Sequence, residues 1–369
     1  MVTPRSPLGQ GGSERHTMEV SRRLLTRGAE VEILCADSPG PALVEQSRHG
    51  VAIRLVRSWP ANRDYFLAPR IWREMAHQDW DIVHVQSYHT LVAPLAMLRA
   101  LTLGAPYVVS FHSGGHSSRL RHRLRGLQRR LLRPLLARAA RLVAVAQFEI
   151  DLYSRELRLP TEKFVLIPNG TDFVPAEVRS EESDGADADG VLLASIGRLE
   201  RYKNHQRVIA ALPHVLKQRA DARLAIVGTG PYEGELRRQA AELGVSERVE
   251  FISLPAEDRE GMSRLLRRTA IVVLLSDYET HPLVALEAAA AGRRLLVADR
   301  AGLGEVARDG LARAIAPDAP AVVVGSAILE QLRLPPPRQA PKLTSWDECA
   351  ERLLELYREI CGPPAAASS

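Results

Sequence analysis

Short apolar runs alternate along this chain with amphipathic stretches of 10 to 20 residues, the arrangement expected of strand–helix–strand units built around parallel sheets. In the first half the strand-like runs are VEILCA (31–36), VAIRLVR (51–57), DIVHVQ (81–86), YVVSFH (107–112), RLVAVA (141–146) and FVLIP (164–168). The first helix is expected to begin at Ser13, a good N-cap, and to end at Arg27 with Gly28 as its left-handed cap. A second series follows, with VLLASIG (191–197), RLAIVG (223–228), RVEFIS (248–253), IVVLLS (271–276), RLLVA (294–298) and LARAIA (311–316). From Ser345 to Ile360 apolar residues recur at helical spacing.

Between the two series lies FVPAEVRSEESDGADADG (173–190), acidic, rich in small residues and without apolar periodicity, which reads as a connection between domains. A chain of 369 residues exceeds what one core supports. The pattern divides it into a Rossmann-like domain over 1–172, a linker over 173–190, a second domain over 191–344, a helix over 345–361 and a disordered tail over 362–369. The fold class is therefore α/β, with two doubly wound Rossmann-like domains presenting the carboxyl ends of their sheets to a central cleft. The segment SPLGQGGSERH reads as the turn after a first strand, yet only Met1 and Val2 precede Thr3 and Pro4. Such sheets place their first strand centrally, so the reading expects a truncated first strand and residues upstream of Met1.

Composition narrows the class. Apolar residues make up 46% and charged residues 25%, the balance of a soluble globular protein. No apolar run reaches the roughly 18 residues that span a bilayer, and the N-terminus carries no secretion-type apolar stretch, so a cytoplasmic location is expected. Cys35, Cys349 and Cys361 form no cluster that suits zinc or a disulfide framework, and no metal site is expected. The net charge of +5 suits anionic ligands or surfaces. Only four lysines occur, Lys163, Lys203, Lys217 and Lys342, so nearly all positive charge is arginine.

The chemistry-bearing residues gather after strand ends. SDYETHPLVALEAAAAG (276–292) follows an apolar run and opens a helix at Pro282, with Glu279 in the loop and Glu287 on the helix. The helix start at Pro282, Leu283 and Val284 offers free backbone N–H groups, from the residues after the proline, to phosphate oxygens, and carboxylates accept hydrogen bonds from sugar hydroxyls. In GRLERYKNH, Arg198 and Lys203 supply a planar fork and a point charge of the kind that a leaving diphosphate requires. Gly228 and Gly230 in VGTGPYEG form either a tight turn or a ligand loop, since their spacing is not that of a dinucleotide fingerprint. Gly11 and Gly12 before the first helix are open to the same two readings. His112 ends a strand at the cleft edge, before SGGH, whereas His84 within DIVHVQ reads as a satisfied core histidine. Residues 118–142 hold nine arginines and leucines at 120, 124, 127, 131 and 135. They read as an amphipathic helix packed on the sheet or as a contact with anionic lipid on the inner face of the membrane, with Pro134 expected to kink or end it. Aromatics are not interleaved there, which argues against nucleic acid.

Taken together, GGSERHTMEVSRRLLTRGAEVEIL, DIVHVQSYHT, YVVSFHSGG, IPNGTD, GRLERYKN, VGTGP, ETHPLVALE and AGLGEVARDG resemble the family-4 retaining glycosyltransferases of the GT-B fold. The closing TSWDECAERLLELYREI resembles the helix that crosses back onto the first domain in that family. The resemblance implies transfer of a hexose from a UDP- or GDP-linked sugar, with retention of configuration and without a metal or other cofactor, to a small-molecule, saccharide or lipid acceptor. It implies that Glu279 lies near the transferred sugar and Glu287 on the donor ribose, that Arg198 and Lys203 hold the diphosphate, that Gly12 lies near the phosphates and that His112 meets the sugar hydroxyls. Where the family often has E-G-F-G, this chain has Glu279, Thr280, His281 and Pro282, so its sugar pocket differs. Two further readings share the architecture: a nucleotide-sugar epimerase and a non-catalytic sugar-nucleotide-binding protein.

Overall fold

The structure of the protein is a computed structural model that describes the whole chain except residues 10, 39–42, 61–66, 89, 113–118, 172–185, 188–189, 256–257, 336, 338–340 and 363–369. The SGGH segment after His112, most of the expected linker and nearly all of the expected tail thus lie outside the described residues. The chain divides into two compact units, one comprising Met1–Ser113, Arg119–Gly170 and Thr344–Ser369, the other built on Thr171–Leu343.

The first unit holds β1 (Val2–Thr3), β2 (Glu32–Ser38), β3 (Leu43–Arg48), β4 (Val51–Arg57), β5 (Val83–Gln86), β6 (Tyr107–Ser110), β7 (Arg141–Ala144) and β8 (Phe164–Leu166), in the sheet order β3-β4-β2-β1-β5-β6-β7-β8. All pairs are parallel except β3 with β4. The first strand, expected to be truncated, is two residues long and central: Val2 lies opposite both Leu34 and Val85. The sequence reading missed β3. Its middle residues Glu45, Gln46 and Ser47 are exposed on the sheet edge, so it lacks apolar alternation, and His49 and Gly50 turn into β4 with positive φ at both positions.

The helices of this unit are α1 (Gly12–Thr26), α2 (Arg70–Glu74), α3 (Val92–Leu103), α4 (Arg119–Arg138) and α5 (Gln147–Leu157). The N-cap of α1 is Gly11, not Ser13 as expected; Ser13 lies in the first turn, where its hydroxyl donates to Glu14 at 2.8 Å. Its C-terminus is as expected, with Gly28 at φ +84°. Helix α4 runs through Pro134 instead of ending there. Its buried face carries Leu132 and Leu136, whereas Leu127 and Leu131 of the expected stripe are 56% and 68% exposed. The stripe thus points partly to solvent, and the side chains of Leu120 and Leu124 lie outside the described set.

In the second unit β9 (Ala186–Asp187) pairs antiparallel with the start of β10 (Gly190–Ile196). Parallel pairing continues through β11 (Arg223–Val227), β12 (Val249–Ile252), β13 (Ile271–Leu274), β14 (Arg294–Ala298) and β15 (Arg313–Ile315), in the order β12-β11-β10-β13-β14-β15. The direction of winding reverses between β10 and β13, the place where doubly wound sheets bind ligands at their carboxyl ends. Helices α6 (His205–Leu216), α7 (Glu233–Glu242), α8 (Arg259–Arg268), α9 (Leu283–Ala290), α10 (Ala301–Arg308) and α11 (Ala321–Arg333) cover the sheet. The core is aliphatic, with Leu224, Ile226, Ile271, Val273 and Leu296 fully buried, as parallel strands covered on both faces require.

Helix α12 (Trp346–Cys361) packs within the first unit. Ser345 and Glu348 form a reciprocal capping box at its start. Asp347 accepts from Arg23 and Arg27 of α1, at 3.2 and 2.8 Å, and Arg352 donates to the Leu166 carbonyl at 2.9 Å. Trp346 is fully buried, and a side chain at Gly170 would meet the Trp346 backbone nitrogen at 2.2 Å. Ser345→Ala is expected to remove about 1 kcal/mol of helix stability and to speed hydrogen exchange in the first turn of α12 about fivefold, measured by mass spectrometry.

Candidate functional site

In the second unit, the loops that follow β10, β11 and β13 are tied to one another by their backbones. Gly197 N–H donates to Val227 O at 2.9 Å, Leu199 N–H to Thr229 O at 2.9 Å and Tyr232 N–H to Leu199 O at 3.0 Å. Gly228 and Gly230 make this approach possible. A Cβ on Gly228, at φ +140°, would lie 2.1 Å from Gly197 O, and one on Gly230 would lie 2.4 Å from Leu199 O. Their glycine character therefore serves the close packing of two loops. Asn204, in the left-handed region at φ +59°, extends the lock to the third loop by donating to Leu275 O at 2.8 Å and to Asp277 at 2.9 Å.

This lock brings Lys203 onto Glu279: the ammonium donates to Oε1 of the carboxylate, which also accepts from Ser276 Oγ at 2.9 Å. Burial works against the Lys203 charge, but the Glu279 carboxylate and the Tyr202 phenol together offset it and raise the lysine's pKa above its ordinary value. Arg198 lies on the same loop, half-exposed, with its guanidinium on Tyr202 Oη and Glu200, both at 2.8 Å. Burial pushes the Tyr202 phenol up despite the two cations beside it, so it stays protonated at neutral pH. Beneath the loop, His205 accepts from Ser195 Oγ at 2.8 Å and reaches Arg198 O at 3.3 Å. Burial lowers the His205 pKa to about 4, leaving a neutral ring that can accept at one nitrogen and donate at the other.

Glu279 is fixed on its other side as well. Gly302 N–H, in the first turn of α10, donates to Glu279 O at 2.9 Å, and a Cβ on Gly302 would lie 1.9 Å from Thr280 O. Pro282, expected as the first helical residue, is instead the N-cap of α9; Leu283 and Val284 supply the first-turn N–H groups, which have no intrahelical acceptor. Glu287 is no solvated helix carboxylate. It is 3% exposed and accepts from Arg259 at 2.8 Å, a partner that the sequence reading did not find.

Gly12 and His112 belong to the first unit. Gly12 opens α1, and one turn on His16 packs its ring 4.4 Å from that of His112, which is buried at φ +37°. His16 bonds Asn169 at 2.8 Å and lies 5.8 Å from the Trp346 ring. Burial lowers the His16 pKa to about 4, so its ring is neutral at neutral pH. The Glu14 carboxylate lies against Gly11, 1.9 Å from where a Cβ there would stand. His84 is buried between Tyr357 and Ser110, each bonded to one ring nitrogen.

Gly302→Ala is expected to force the Glu279–Thr280 backbone away from α10, at a cost on the order of 1–3 kcal/mol. Hydrogen exchange over residues 276–281 should rise while that of β13 stays unchanged.

Comparison with known proteins bears on this arrangement. A family model described as Glycosyltransferase Family 4 matches residues 10–173, and one described as Glycosyl transferases group 1 matches residues 179–341. The chain is 25% identical to the phosphatidyl-myo-inositol mannosyltransferase of Mycobacterium tuberculosis, over 99% of this chain and 97% of that one. It is 28% identical to D-inositol 3-phosphate glycosyltransferase 1 of Catenulispora acidiphila, over 96% and 93%. Among solved structures, Anabaena HepE in complex with UDP and glucose superposes with a TM-score of 0.74 at 16% identity, covering 96% of this chain and 98% of that one. That likeness carries the fold, that of the GT-B glycosyltransferases. On both family models, which between them span most of its length, the chain belongs to the family-4, group 1 glycosyltransferases.

Proposed function

We propose that the protein transfers a hexose from a nucleoside-diphosphate sugar to a hydroxyl acceptor with retention of configuration. The observation that carries this reading is the pairing of Lys203 with Glu279, beside Arg198, at the carboxyl ends of β10 and β13. Arg198 and Lys203 hold the donor diphosphate and offset the charge that grows as the anomeric C–O bond breaks. Glu279 accepts from hydroxyls of the transferred sugar, and Glu287 accepts from the ribose. Pro282, Leu283 and Val284 start a helix whose free N–H groups suit phosphate oxygens. His112, packed against the ring of His16, meets the sugar hydroxyls. The acceptor oxygen attacks on the face that the diphosphate leaves, and a donor phosphate oxygen takes the acceptor proton, so no metal is needed for either step.

The acceptor in this reading is a phosphate-bearing cyclitol, because two relatives are named for transfer to phosphatidyl-myo-inositol and to D-inositol 3-phosphate. A lipid-borne form is favoured by α4, where Leu127 and Leu131 stand exposed one turn apart beside exposed Arg130, Arg133 and Arg138. This face suits an anionic headgroup layer, each arginine contributing about 1 kcal/mol near the surface. Among the described residues no helix is long and apolar enough to cross a membrane, so the contact is peripheral.

The donor is tested by thermal shift against UDP, GDP, dTDP and their sugar conjugates, since a ligand of the native state alone must raise the melting temperature. One base is expected to shift it, and Arg198→Ala to cut turnover roughly a hundredfold or more with inositol phosphate or phosphatidylinositol as acceptor. NMR of the product should show the donor's anomeric configuration, and a chelator should leave the rate unchanged. Binding without product would favour a non-catalytic nucleotide-binding protein. Replacing Leu127 and Leu131 by Glu is expected to abolish co-sedimentation with phosphatidylglycerol vesicles while leaving donor binding intact; unchanged sedimentation removes the membrane role.

A further inference from the structure

Arg259 stands in an unfavourable place for a cation. It is the first residue of α8, where the positive end of the helix dipole disfavours a guanidinium. Its position is nevertheless fixed: Asp258 is the N-cap, accepting from Gly261 N–H at 2.7 Å, and a side chain at Gly261 would collide with that carboxylate at 2.2 Å. The chain thus ends its approach from β12 with a rigid cap and sends the next side chain to Glu287 of α9, 28 residues on, at 2.8 Å. Glu287 is 3% exposed, and a carboxylate buried to that degree is costly unless a charge or donor meets it. A local rule broken at one helix start and a buried charge satisfied within the next helix are the pattern expected of a functional position.

We infer that Arg259 is the positioning residue of the donor nucleoside site, holding the Glu287 carboxylate in the one orientation in which it accepts from the ribose hydroxyls. This rests on the reading of Glu287 as the ribose acceptor. A carboxylate reads a vicinal diol by accepting from both hydroxyls at once, which demands a fixed plane. Arg259, donating in a set direction to Oε1, sets that plane. The Arg259 side chain is itself 38% exposed, so its removal opens no large cavity in the core.

The test is the affinity of the full chain for UDP and GDP and for their 2′,3′-dideoxy counterparts, measured by calorimetry with the wild type, Glu287→Gln, Arg259→Ala and Arg259→Lys. The wild type is expected to prefer the ribonucleotide by about tenfold or more, as hydrogen bonds to a charged group allow. Glu287→Gln and Arg259→Ala should both lose most of that preference, and Arg259→Lys should restore part of it. In turnover, Arg259→Ala should raise the donor KM about tenfold and leave kcat within about twofold, the signature of lost uniform binding. If Arg259→Ala discriminates as the wild type does, or weakens ribo and dideoxy forms equally, the positioning role is overturned while the reading of Glu287 stands. If Glu287→Gln keeps the full preference, or no nucleotide binds the wild type, the ribose reading fails and this inference with it.

Discussion

The Glu279 carboxylate is held by Lys203 because the loops after β10 and β13 leave the second sheet side by side, at the point where strand order reverses. Everything around the pair maintains that adjacency. Gly228 and Gly230 let the loop after β11 press on Gly197 and Leu199, Asn204 bridges to Leu275 and Asp277, and Gly302 lets α10 take the Glu279 carbonyl. A parallel sheet alone sends neighbouring loops outward from the same edge. Backbone contacts this close are what convert neighbouring loops into one rigid wall, with a partly buried ammonium and a carboxylate already in register. Preorganisation of that kind is what electrostatic catalysis of a group transfer requires, because the dipoles need not reorganise as charge develops.

The first unit solves a different problem. In its polar cluster the His16 ring, kept neutral by burial, packs against His112 and bonds Asn169, and Trp346 of α12 lies beside it. Trp346 can pack there because Gly170 leaves no side chain between the two backbone segments.

Several site residues were legible in the sequence because their chemistry and their neighbours were both local. Glu279, Lys203 and Arg198 follow apolar runs directly, so a strand-end position could be inferred from pattern alone. Other partners were invisible for a common reason. Arg259 lies 28 positions before Glu287, Asn169 lies 153 after His16, and Ser276 and Gly302 reach Glu279 through loop geometry that no periodicity encodes. The leucine stripe of α4 misled for a related reason. Spacing shows that leucines share a face but not which face meets the core, and here Leu132 and Leu136 do so while Leu127 and Leu131 face solvent.

By itself the sequence determined the alternation of strand and helix, the two series and the C-terminal end of α1 at Gly28, because each depends on contacts within a few positions. Only the tertiary structure decided that Leu43–Arg48 closes the sheet edge and that the glycines after β11 serve loop packing. It also decided which cation meets which carboxylate. Such outcomes turn on distances between residues far apart in the chain, set by sheet order and close backbone approach, and no local pattern carries that information.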